Sequence, residues 1–145
     1  MTYTEALPKA EKYCAYQERS QQDVRRRLRA WKVEEEAAEA VIAELIAQNF
    51  LNESRYAAAF VSGHYRIKRW GRLKITQALR ADGISERCIR DAFAATDFSD
   101  YRETIRRVAE SWERTHHCLP EERKWKLRAY LFSRGFEPDA IDGAL

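Results

Sequence analysis

Ile75-(x3)-Leu79-(x4)-Ile84, with Gly83 just before its last apolar residue, is the stretch that decides how this 145-residue chain folds. Apolar residues four apart share one face of a helix, and a glycine just beyond them can take the left-handed backbone that ends it. The pattern occurs upstream as Val24-(x3)-Leu28-(x4)-Val33 and downstream as Leu127-(x3)-Leu131-(x4)-Phe136. Five residues further on, the copies carry Ala38, Ile89 and Ile141, and four beyond those come Ile42, Phe93 and Leu145. The copies lie about fifty residues apart, a period that points to tandem helical repeats.

Reading outward, apolar residues recur at helical spacing nearly everywhere, and no extended period-2 alternation interrupts them. The fold is therefore all-α, an elongated tandem array. Residues 1–18 form an N-terminal helix with Leu7, Ala10, Tyr13 and Cys14 on one face. Repeat one, 19–69, opens on Ser20 and Asp23, the pattern of a capping box. Its first two helices present Val24, Leu28 and Trp31, then Ala38, Val41, Ile42, Leu45 and Ile46. Asn52 caps its third helix, where Tyr56, Phe60, His64 and Ile67 align. Repeat two, 70–119, begins at Gly71, with Ile75, Ala78 and Leu79 inward. Gly83 ends that helix, Ser85 caps the next, and Ser99 caps a third bearing Tyr101, Ile105, Val108 and Trp112. Repeat three, 120–145, is truncated to two helices, with Leu127, Tyr130 and Leu131, then Gly135 and Pro138. Short helices are marginal alone, so the repeats lean on one another as one continuous domain. Lys32 stands where the other copies have Gly83 and Gly135. Either it takes the left-handed backbone at some cost or the first turn is built differently.

Composition narrows the function classes. No apolar run approaches the ~18 residues of a membrane helix, and Met1–Lys12 has no signal-like apolar core, so a cytoplasmic location is expected. Cys14, Cys88 and Cys118 are odd in number and lack a CxxC pair, which favours free thiols in a reducing compartment. The net charge of +3 is mild, but its distribution is not even. Tyr56 to Ala81 contains no acidic residue, while Arg66, Lys68, Arg69, Arg72, Lys74 and Arg80 surround Tyr65 and Trp70. Cations interleaved with aromatics suit a phosphate backbone or an acidic protein face, against the plainer reading of a solvated helix surface. A second cluster, Arg25, Arg26, Arg27 and Arg29, stands opposite the carboxylates that crowd the next helix, Glu34, Glu35, Glu36, Glu39 and Glu44, and reads as internally neutralised. A third comprises Arg123, Lys124, Lys126 and Arg128 around Trp125, at the repeat position of Arg72–Thr76. His116-His117-Cys118 lacks the fourth ligand and the paired spacing of a zinc site. No Gly-rich phosphate loop, G-x-S-x-G or H-E-x-x-H is present. No cofactor, no metal and no enzymatic activity are expected.

One stretch adds a family resemblance. Phe50-Leu51-Asn52-Glu53-Ser54-Arg55-Tyr56-Ala57, then Phe60-Val61, then Gly71-(x3)-Ile75-(x3)-Leu79-(x3)-Gly83-Ile84 resembles the signature of the RecX family. Arg19-Ser20-(x2)-Asp23-Val24-(x2)-Arg27-Leu28 is similar to that family's first-repeat pattern. Asn52-Glu53 replaces the Asp-Asp often found there. The resemblance spans roughly residues 13–145. It implies a monomeric, non-enzymatic regulator that binds in the groove of the RecA filament on single-stranded DNA. Such a protein mostly inhibits ATP hydrolysis, strand exchange and co-protease activity, limiting recombination and the SOS response. The candidate contact residues are Arg66, Lys68, Arg69, Trp70, Arg72, Lys74, Arg25, Arg26, Lys124 and Lys126. The alternative is a general DNA-binding helical module acting without RecA, which steeper salt dependence on bare DNA would distinguish.

Overall fold

Caps and apolar spacing together set where each helix starts. The computed structural model describes residues 1–145 and holds nine helices: α1 (Tyr3–Tyr16), α2 (Gln21–Ala30), α3 (Glu35–Ala47), α4 (Glu53–Arg66), α5 (Arg72–Ala81), α6 (Glu86–Ala94), α7 (Tyr101–Thr115), α8 (Pro120–Ser133) and α9 (Pro138–Ala144). Thr2, Asn52 and Ser85 each accept a backbone N–H from three residues on. Ser20 and Asp23 form the expected capping box, at 3.0 Å in both directions. Ser99 is not the cap of α7. Asp100 occupies that position, its carboxylate accepting from the Tyr65 hydroxyl at 2.5 Å, while the Ser99 N–H is turned toward Asp97.

The three copies of the pattern end their helices alike. Lys32, Gly83 and Gly135 have φ of 60°, 78° and 99°. The N–H of the next residue closes on the carbonyl five earlier: Val33 on Leu28 at 3.0 Å, Ile84 on Leu79 at 3.0 Å, Phe136 on Leu131 at 3.2 Å. Each is a Schellman turn. Lys32 thus adopts the glycine conformation, at a cost of about 1 kcal/mol. Asn49, φ 63°, makes a further turn of this kind at the end of α3, with the Phe50 N–H on the Leu45 carbonyl at 2.8 Å.

Packing then fixes the phase of the repeat. α1 lies against α2 and α3, α4 against α5 and α6, and α7 against α8 and α9. Each long helix therefore belongs with the two shorter helices that follow it. The division at 19, 70 and 120 places the boundaries one helix later, and it leaves residues 1–18 outside and the third unit short of a helix. Periodicity alone carries no phase; the apolar faces of α1, α4 and α7 supply it. Three positions expected inside are not: Ile46 is 45% exposed, Ile67 82% and Leu145 55%, each lying off the buried face of its helix or at its end.

Two separate cores result, one of 11 buried residues from Ala6 to Leu51 and one of 19 from Tyr56 to Ala144. The accessible surface, 9107 Å², exceeds the roughly 7,800 Å² of a compact chain of this mass, as an elongated array should. The joints between units differ in kind. At the first, Arg55 donates to Glu18 and to the carbonyls of Asn49 and Phe50, and Arg26 lies 3.9 Å from Asp82. At the second, backbone meets backbone. The Gly71 N–H donates to the Arg134 carbonyl at 2.8 Å and the Leu73 N–H to the Gly135 carbonyl at 2.9 Å. The third unit's turn thereby caps the first turn of α5, and a Cβ on Gly71 would overlap the backbone of Gly135 and Phe136.

Leu79, at 0% exposure, sits in the larger core. Leu79→Ala is expected to lower unfolding free energy by about 2–5 kcal/mol, read from urea denaturation.

Candidate partner-binding surface

The acid-free stretch folds into a corner: the end of α4, the loop 67–71 and the start of α5. Trp70 is half-buried, 4.6 Å from the His64 ring and edge-on to Phe60 at 6.4 Å, and Phe60 stacks on His64 at 3.7 Å. The i, i+4 spacing of Tyr56, Phe60 and His64 lines these rings along α4. Lys74 Nζ sits 4.4 Å above the Trp70 ring and Lys68 Nζ 5.8 Å from it. The ring quadrupole thus holds two ammonium groups in place without neutralising them. Burial holds the His64 imidazole below its ordinary value, only partly offset by the Phe60 carbonyl beside Nδ1.

Arg69 has φ 57°, and its loop is fixed from outside. The Arg134 guanidinium donates to the carbonyls of Lys68 and Arg69, and the Arg134 carbonyl takes the Gly71 N–H. Arg66, Lys68, Arg69 and Lys74 form no ion pair. Four unpaired cations on a braced corner is what the geometry offers a partner.

The other candidates fare differently. Arg72 is a joint residue: its Nε donates to Glu137 at 2.8 Å and its guanidinium lies 4.2 Å over Tyr101. The Tyr101 hydroxyl donates to Glu137 at 2.5 Å and accepts the Arg72 backbone N–H at 3.0 Å, so truncating the Arg72 side chain takes its ion pair with Glu137 out of the second joint. Arg25 forks onto Glu39, whose carboxyl it holds below the usual range, as the opposed charges of α2 and α3 suggested. Arg26 pairs with Asp23 at 2.7 Å and Lys126 with Glu122 at 2.9 Å. Lys124 is exposed and unpaired, but it stands on α8 apart from the corner's loop. His116 stacks on Trp112 at 4.5 Å, with Nδ1 2.9 Å from that residue's carbonyl. Cys14 is buried, and burial pushes its thiol up to about 11; Cys88 and Cys118 are partly buried, and all three are free.

Known proteins share this architecture. The family model for RecX, first three-helix domain, matches residues 6–45, and that for RecX, second three-helix domain, matches residues 52–92. Those spans follow α1–α3 and α4–α6, the phase that packing sets. The chain belongs to the RecX family. The regulatory protein RecX of Leptothrix cholodnii is 32% identical over 135 residues, covering 92% of this chain and 82% of that relative. The regulatory protein RecX of Bacillus subtilis is 29% identical over 138 residues, 92% of this chain but 51% of that relative, so the chain spans about half its length. A crystal structure of regulatory protein RecX superposes with a TM-score of 0.87 at 26% identity, over 98% of this chain and 72% of that one. RecX from Lactobacillus salivarius gives 0.77 at 25% identity, over 98% and 93%. This RecX-family chain is thus one of a family of all-helical regulatory proteins, and no helix in it is long and apolar enough to cross a membrane.

Proposed function

We propose that this chain binds the RecA filament on single-stranded DNA and restrains it, as a regulator with no catalytic chemistry of its own. The observation that carries this reading is the corner of Arg66, Lys68, Arg69 and Lys74. None of these cations is ion-paired, and the third unit braces the loop that presents them. A helical polymer repeats its surface, and an elongated three-unit body can touch more than one subunit. Joined weak contacts then yield a high effective affinity. A molecule clamped across neighbouring subunits opposes the movements that nucleotide turnover and strand exchange require.

Titrating the protein into RecA assembled on single-stranded DNA tests this. The rate of ATP hydrolysis or of strand exchange is expected to fall at substoichiometric to stoichiometric ratios. Folded protein that alters neither contradicts the proposal.

A further inference from the structure

A groove separates α5 from the end of α8, with a volume of about 460 Å³. Leu73, Lys74, Gln77 and Arg80 form one wall, and Phe132 and Gly135 stand on the other. Two large apolar side chains are left in water there, Leu73 at 39% and Phe132 at 55% exposed. No carboxylate lines the groove. Arg80 is held by Glu86 at 2.6 Å, whereas Lys74 has no acidic partner and belongs to the cation corner as well. The walls are preset, because the Leu73 N–H is bonded to the Gly135 carbonyl at 2.9 Å.

We infer that this groove seats an acidic segment of a protein partner carrying one large apolar side chain. The inference rests on the filament-binding reading and names the chemistry of part of that contact. Leu73 and Phe132 would grip the apolar side chain while carboxylates beside it meet Lys74. Thr76 and Gln77 offer a hydroxyl and an amide to the segment's backbone. An apolar centre with a charged margin is the usual anatomy of a protein contact. A nucleic-acid strand would instead want cations along its whole path and aromatic faces for successive bases. Here Lys74 is the one unpaired cation of the lining and Phe132 its single ring, which favours the peptide.

Fluorescence anisotropy with a fluorescein-labelled peptide, Asp-Glu-Phe-Leu-Asp-Glu, tests the inference on the full chain, with labelled oligothymidylate in a parallel titration. The peptide is expected to bind, and the Leu73→Ser/Phe132→Ser double variant to bind it about tenfold more weakly or worse, as when a central anchor is lost. Lys74→Glu should also weaken it, and circular dichroism should show both variants helical. Three results overturn the inference: no binding of the peptide, equal binding by the double variant, or oligothymidylate binding that the double variant alone abolishes. The double variant is also tried on RecA filaments. If it slows ATP hydrolysis as the wild type does, the groove assignment fails while the proposed function stands. If wild-type protein leaves the filament unaffected, the proposed function fails whatever the peptide does.

Discussion

Gly71→Ala is expected to destabilise the second and third units by about 3 kcal/mol or more, far beyond an ordinary surface glycine. Backbone torsion is not the reason, since Gly71 has φ of −78°, which any residue adopts. The cause is contact. The added methyl would land on the backbone of Gly135 and Phe136, which cannot rotate aside as a side chain could. Moving that turn would break two hydrogen bonds, Gly71 N–H to Arg134 and Leu73 N–H to Gly135, and pull Phe136 from the core. Gly63→Ala is the control, because a Cβ there meets nothing within 4 Å. Placed inside α4, it should be neutral or stabilising by up to about 1 kcal/mol. Hydrogen exchange would localise the damage. Amides of α4–α9 should lose protection in Gly71→Ala while those of α1–α3 keep theirs, because the smaller core is separate. Equal stability of the two variants would mean the second joint is not the close backbone contact described.

The second large effect concerns binding. Reversing Arg66, Lys68, Arg69 and Lys74 to Glu is expected to weaken association with RecA filaments about a hundredfold, or ~2.7 kcal/mol, a modest share per charge. Stability should change little, since none of the four is ion-paired, although two lysines leave the Trp70 ring. The matched control reverses Arg87, Arg90, Arg102 and Arg114, all exposed, on α6 and α7. Both quadruple variants change net charge by the same amount, so a purely global electrostatic attraction would weaken equally in both. A loss confined to the first set assigns the contact to the corner. Reversing Arg72 with them would confound the test, because its ion pair with Glu137 belongs to the joint.

How much of this was legible in the chain depended on how local each cause is. Ile75, Leu79 and Ile84 with their counterparts disclose the helices, because residues four apart must share a face. The Schellman turn at Lys32 could be located but not resolved, since only the shared geometry of the three turns makes a lysine accept φ of 60°. The phase of the repeat was hidden, as a period has no starting point until α1 is seen lying on α2 and α3. Arg72 and Lys74 look alike in sequence. One is a joint residue and the other a free cation because Glu137, 65 residues from Arg72, reaches the first and not the second. The same distance hides Arg134, whose guanidinium braces the loop of Lys68 and Arg69 and whose role no nearby motif signals. Ser99 and Asp100 are both good caps by type, and the Tyr65 hydroxyl decides between them.

Electron microscopy of RecA filaments on single-stranded DNA, saturated with this protein, bears most directly on whether a braced cationic corner on a three-unit body is what meets the polymer. The expected reconstruction has helical density lying along the filament groove, one molecule touching more than one RecA subunit, with residues 66–74 against the filament. Density attached by another face with that corner in solvent, or bare filaments at saturating protein, would contradict it.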